Sequence, residues 1–397
     1  MVSKAVPSGW DAPSFTAWGQ GKKQDAINLV LARLNQQPKK SPRLTLQLSY
    51  YLFFLNDFRA AAHFLSLQLK DTPKHPEVLL NLAVCYGRGK QHREAVHVAK
   101  KVIEIDPNSY VAFDVLANSL YGLKLNQEAA LAGARSLVIK DKNTQKLKQP
   151  KWTLPQGSPE QMTAGKLKVI SFSLWGANPR YLRGALHNVM LAQEIYPDWV
   201  CRFYVDASVP KDLLQVLMDL GASIVFRDEV SIAQKLCWRF EVANDSDVAY
   251  FLVRDVDSVI SMREAQAVQE WIDSKKWFHV MRDWWTHTDL MLAGMWGGVA
   301  NVLPSINLLY AAYTSPHVTT PNIDQWFLRD CIWSMVKQSC LIHDRCFRIF
   351  SSLPYASEPA DGEHIGQNEY AAHPMRQEKL LAKWISRLPC LTLDPKG

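Results

Sequence analysis

The chain has 397 residues, 48% hydrophobic and 21% charged, with a net charge of +7. That length predicts two or three domains with sizeable cores, and no run of eighteen apolar residues offers a membrane span. Residues 1–20 lack the apolar stretch of a secretory signal, and the seven cysteines are scattered without a C-x-x-C pair. A cytoplasmic protein without a disulfide framework or zinc site is expected.

The charge is uneven: residues 1–150 carry a balance of +10 and residues 151–397 one of −3. An acidic second half suits a cation site better than a nucleic-acid groove. The basic first half lacks a nucleic-acid-binding motif, so no nucleic-acid partner is expected.

Along the chain, self-similarity comes first. Ala26, Ala61, Ala95 and Ala129 recur at steps of 35, 34 and 34 residues, and Pro38, Pro73 and Pro107 each follow an alanine by twelve. In the clearest unit, residues 76–109, Leu79, Leu82, Ala83 and Tyr86 line one helix and Ala95, Ala99 and Val102 the next, with Gly87 and Gly89 marking the turn. Small residues at fixed points let paired helices approach closely, and proline stops the second helix. The pattern resembles the tetratricopeptide repeat. It implies an all-α helical-repeat domain over residues 1–143, acting as a stacking scaffold or a peptide-binding groove. The stretch before Ala26 reads as a worn first helix.

Residues 144–165 lose the period and read as a linker. Over residues 166–397 short apolar strands alternate with helices. Strands are predicted at 168–174, 200–205, 223–226, 248–253 and 278–281, and helices at 181–195, 211–220, 233–242 and 263–274. Alternation of this kind predicts an α/β, Rossmann-like domain with a mainly parallel sheet, whose ligands bind beyond the carboxyl ends of the strands.

The most informative segment runs Tyr250-Phe251-Leu252-Val253-Arg254-Asp255-Val256-Asp257-Ser258. Residues two apart on an extended strand share a face, so Asp255 and Asp257 are expected side by side at the mouth of the sheet. Adjacent carboxylates repel unless a cation sits between them, and Mn²⁺ or Mg²⁺ with substrate phosphates would serve. The plain alternative is a strand followed by a solvated turn.

Four stations in order resemble the GT-A glycosyltransferases and their glycogenin-like relatives. Trp238-Arg239-Phe240 stands where those enzymes carry an arginine that contacts the nucleotide sugar. Asp255-Val256-Asp257 is the metal motif. Leu292-Ala293-Gly294-Met295-Trp296, with Pro304-Ser305 following, resembles the donor-sugar segment. Asp324-Gln325-Trp326-Phe327-Leu328 resembles a helix start whose aspartate reaches the donor sugar or acceptor. The resemblance implies a nucleotide-sugar donor held by Arg239, Asp255, Gly294 and Gln325, and a metal held by Asp255, Asp257 and His364. His364-Ile365-Gly366 resembles the family's late histidine–glycine element, and His343 is the rival ligand. The lysine that follows in the family is missing here, so Arg180, Arg183 or Arg239 would have to grip the diphosphate.

Asp324, Asp289 and Asp283 are the candidates for catalysis near the anomeric carbon or the acceptor. Trp284 and Trp285 are acceptor-site candidates because polar residues bracket them, although tryptophans more often fill cores. The implied acceptor is an acidic protein or a glycan, presented by the basic repeats or at an anionic membrane surface. Two other functions fit parts of the sequence. One is a repeat adaptor carrying an inactive transferase-like domain. The other is a phosphatase of the haloacid dehalogenase type, in which D-x-D usually follows the first strand; here it follows about the fourth.

Overall fold

The computed structural model describes residues 6–36, 41–148, 150–228, 230–313 and 322–392. Pro38, one of the three spaced prolines, lies outside them. The chain divides into two units, Met1–Asp141 and Lys142–Gly397.

The first unit is a tetratricopeptide-like, all-α repeat. Its helices are α1 (Ala12–Gly19), α2 (Lys23–Asn35), α3 (Pro42–Phe54), α4 (Phe58–Asp71), α5 (Pro76–Arg88), α6 (His92–Ile105), α7 (Tyr110–Gly122) and α8 (Asn126–Thr144). The four recurring alanines sit on the second helix of each pair and are all 0% exposed. A methyl group there lets the helices close on each other, and a larger side chain would force them apart. The worn first helix is α1, shortened to eight residues and capped by Asp11, whose carboxylate accepts from the Ser14 N–H.

The turns repeat as well, at a place the glycines do not reveal. Gly87 lies inside α5, and Gly89 caps that helix with a negative φ. The left-handed residue of the hairpin is Lys90 (φ 58°), and Gly21, Asn56 and Lys124 occupy the same place five residues before each alanine, with φ of 82°, 60° and 65°. Only the first is a glycine. A side chain in this conformation costs about 1–2 kcal/mol, partly offset by the greater freedom glycine has in the unfolded chain. Lys124→Gly is therefore expected to raise the stability of the repeats by about 0.5–1 kcal/mol in urea unfolding.

The second unit is built on one seven-stranded sheet. Its strands are β1 (Leu167–Leu174), β2 (Trp199–Val205), β3 (Ser223–Phe226), β4 (Val248–Arg254), β5 (Phe278–Arg282), β6 (Met295–Val299) and β7 (Cys340–Asp344), in the order β3-β2-β1-β4-β6-β5-β7. The five predicted strands are present, and β6 and β7 are additional. β3, β2, β1 and β4 are parallel, but β6 runs antiparallel to both β4 and β5. β5 and β7 are parallel to each other, so the sheet is mainly parallel, as expected, with β6 the reversed strand among those described. β6 escapes a propensity reading because Gly297 and Gly298 interrupt it. A Cβ on Gly297 would lie 2.5 Å from the Phe251 carbonyl oxygen, and one on Gly298 2.7 Å from the Phe278 ring.

Every residue of β4 is buried. The chain adds β2 and β3 on one side of β1 and then returns to place β4 on the other. The reversal opens a crevice beyond the carboxyl ends of β1 and β4, where ligands of such sheets bind.

Candidate functional site

A cavity of about 450 Å³ occupies that crevice. Its walls come from the end of β1 and the loop after it (Ser173, Trp175), the start of the helix Pro179–Ile195 (Arg180, Tyr181), and the turn after β4 (Asp255, Val256, Asp257). Arg239 from the 3₁₀ helix Trp238–Asn244, the segment Leu292–Met295, and Asp324 and Gln325 on the helix Ile323–Phe327 complete most of it.

Asp255 and Asp257 line the same cavity, for a reason other than strand alternation. β4 ends at Arg254, and the pair sits in a turn closed by the Ser258 N–H donating to the Asp255 carbonyl at 3.1 Å. Two glycines make room for this turn. A Cβ on Gly294 would lie 2.2 Å from an Asp255 carboxylate oxygen, and one on Gly184 2.1 Å from the Val256 carbonyl oxygen. Gly294 thus shapes the site by admitting the carboxylate of Asp255. Ser258 Oγ donates to the Gly366 carbonyl at 2.9 Å, and the Glu369 N–H to the Asp257 carbonyl at 3.1 Å, so the late segment is tied to the turn at two points.

Each carboxylate is paired. Arg239, 4% exposed, donates to Asp255 through Nη1 and to Asp324 through Nη2 at 3.0 Å, and also to the Arg254 carbonyl. Burial, with the charge of Asp255 adding, pushes Asp324 up to about 6 despite Arg239. Asp257 accepts from Arg180 Nε at 2.7 Å and from Arg180 Nη2. Burial and then the charge of Asp255 raise its pKa, and Arg180 partly offsets them.

Several expected site residues lie elsewhere. Asp283 is 0% exposed and held by Arg263, by Arg345 at 3.2 Å and by the Ile365 N–H at 2.7 Å. It is a structural anchor, removed from the cavity. Asp289 is half-buried and outside the cavity wall, its carbonyl accepting from Arg282. Trp284 and Trp285 do not line the cavity either: Trp284 stacks on His364 at 4.6 Å, and Trp285 packs edge-on against Phe347. Trp271, Trp277 and Trp296 are core residues.

His364 does not join the carboxylate pair. Its ring lies between Trp284 and His287, with Nδ1 at 3.0 Å from the Ile365 carbonyl, and it faces a neighbouring cavity. His343 is farther from the role, bonded to Glu270 at 2.9 Å and His279 at 2.8 Å. The histidine that does line the cavity is His287. Its Nδ1 accepts the Asp283 N–H at 3.0 Å, which leaves Nε2 as the protonated nitrogen of the neutral ring, and burial holds its pKa well below the usual value. No sequence pattern distinguished it from the other histidines.

Among the described residues, no group of three His, Cys, Asp or Glu side chains is placed to hold a metal. Two carboxylates alone fit an ion that arrives with its own ligands, as Mg²⁺ does when phosphate oxygens and water complete its shell. Asp255 and Asp257 therefore fit Mg²⁺ or Mn²⁺ borne on a phosphate. They do not form the three-ligand Mn²⁺ site that includes His364.

The sequence matches no family model and no curated protein. Solved structures that it resembles include MamA from Desulfovibrio magneticus RS-1, at 20% identity over 34% of this chain and 76% of that one, with a TM-score of 0.30. Another crystal structure of MamA shares 20% identity over 33% of this chain and 77% of its own, TM-score 0.31. A thermophilic TPR protein in Thermus thermophilus shares 15% over 38% and 75%, TM-score 0.28. None of these likenesses bears on activity.

Proposed function

We propose that the second unit is a GT-A-like glycosyltransferase that moves a sugar from a nucleotide-sugar donor to a protein or glycan acceptor, docked with help from the basic repeats. The observation that carries this reading is the gathering of Asp255, Asp257, Asp324, Arg180 and Arg239 around one cavity at the crevice between β1 and β4. Asp255 and Asp257 would hold the cation on the donor diphosphate. When bound, that ion would supply electrostatic stabilisation of the leaving group. Arg239 fixes the positions of Asp255 and Asp324 relative to each other. Of the three carboxylates expected to act in catalysis, Asp324 is the one in the cavity wall, and in an inverting reaction it would accept the acceptor's proton. His287 would donate a hydrogen bond from Nε2 to a donor oxygen. Lys90, Arg93, Lys100 and Lys101 are exposed on the repeats and would attract an acidic acceptor or an anionic membrane surface.

A second reading is favoured by one observation. Both carboxylates of the pair already have arginine partners. The unit would then be an inactive relative, and the chain an adaptor acting through its repeats. Incubation with UDP-, GDP- and CMP-sugars and Mn²⁺ separates the two. Steady nucleotide release from one donor supports the transferase, and release from none supports the adaptor.

A further inference from the structure

We infer that Arg180 is a built-in counter-cation that occupies the Asp257 carboxylate in the ligand-free protein and gives it up to a divalent ion, passing to the phosphate that the ion carries. The identity of that phosphate rests on the nucleotide-sugar reading; the competition at Asp257 does not.

The three arginines expected to grip the diphosphate differ in how they are held. Arg183 is buried and spent on the Leu391 carbonyl at 2.6 Å and on Glu378. Arg239 is fixed by three oxygens, from Asp255, Asp324 and Arg254. The guanidinium of Arg180 has one acceptor, Oδ2 of Asp257, and its side chain is 41% exposed whereas that of Asp257 is 12% exposed. Its backbone is fixed independently, because its N–H donates to the Asn178 side chain at 3.0 Å at the start of the helix. The side chain can therefore swing without loosening the helix.

A divalent ion on Asp257 would place two cations at one carboxylate, and their repulsion favours departure of the arginine. The cavity that Arg180 lines gives it a destination, since a planar guanidinium pairs bidentately with phosphate oxygens. Two consequences follow. The ion binds weakly by itself, because it must displace Arg180 without offering a new partner. Ion and nucleoside diphosphate also strengthen each other's binding, by reciprocal linkage.

Free Mn²⁺ measured by electron paramagnetic resonance tests this directly in the full chain. Without nucleotide, Arg180→Gln is expected to bind Mn²⁺ about tenfold or more tighter than the wild type, and Asp257→Asn added to it should remove that gain. UDP or GDP should tighten Mn²⁺ binding by the wild type and have much less effect on Arg180→Gln. Equal Mn²⁺ affinities of the wild type and Arg180→Gln without nucleotide would overturn the inference. So would the absence of Mn²⁺ binding to either protein at millimolar concentrations, or a gain that survives Asp257→Asn. If Arg180→Gln tightens Mn²⁺ binding while neither nucleotide affects either protein, the competition at Asp257 stands and the nucleotide-sugar reading falls.

Discussion

Asp257→Asn is expected to lower donor turnover on the order of a thousandfold, since a bound cation contributes several kcal/mol to stabilising the leaving diphosphate. The amide retains the shape of the carboxylate and loses its charge. The fold should tolerate this. Asp257 is a carboxylate that burial and Asp255 make costly to ionise, and its partner Arg180 is half-buried, so water can take up part of the lost pairing. A melting temperature within about 2 °C of the wild type is therefore expected. Nucleotide release measured beside thermal unfolding checks both halves, and wild-type turnover by this variant would remove the carboxylate pair from the mechanism.

Arg239→Met should affect stability most. Arg239 is the buried cation between Asp255 and Asp324, and its loss leaves the 6%-exposed side chain of Asp324 without a counter-charge. Removing one partner of a buried pair costs about 3–5 kcal/mol. The pH dependence has a definite sign. Asp324 already sits at about 6 in the folded chain, above the value of roughly 3.9 expected when unfolded. Loss of Arg239 raises the folded value further. A carboxylate with a raised folded pKa loses stability as pH rises, so the deficit of the variant should be small near pH 5 and large at pH 8. Urea unfolding at the two pH values reads this, and adding Asp324→Asn should recover much of the loss at pH 8. A deficit independent of pH would mean that packing of the arginine stem, rather than charge, is what the site needs.

How much was legible in the sequence follows from whether the deciding contact is local. The repeat was readable because each buried alanine recurs at a fixed step, whatever surrounds it. The left-handed turn residues were hidden because three of the four are Asn or Lys, and glycine is the residue that normally betrays such a turn. Strand β4 and the acidic pair after it stood out as a run of apolar residues ending in charge. Strand β6 did not, because its glycines are demanded by neighbours on β4 and β5 that lie far away in the chain. The same limit explains the site. Asp283 looked like a reactive carboxylate, and its partners Arg263, Arg345 and Ile365 come from other segments. His364 follows the motif order of a metal ligand, yet order along the chain does not fix which side of a wall a ring faces. In this fold the wall turns His364 toward Trp284 and leaves His287 at the cavity.

Thermal unfolding of the full chain against a panel of UDP-, GDP- and CMP-sugars, with Mn²⁺ present and with EDTA, addresses donor binding most directly. A ligand that binds the native state alone raises the melting temperature with concentration. One nucleotide class should raise the transition of the second unit by several degrees with Mn²⁺, less with EDTA, and not at all in Asp257→Asn. A flat response to every sugar nucleotide in the wild type would contradict a transferase and leave the repeats as the working part of the chain.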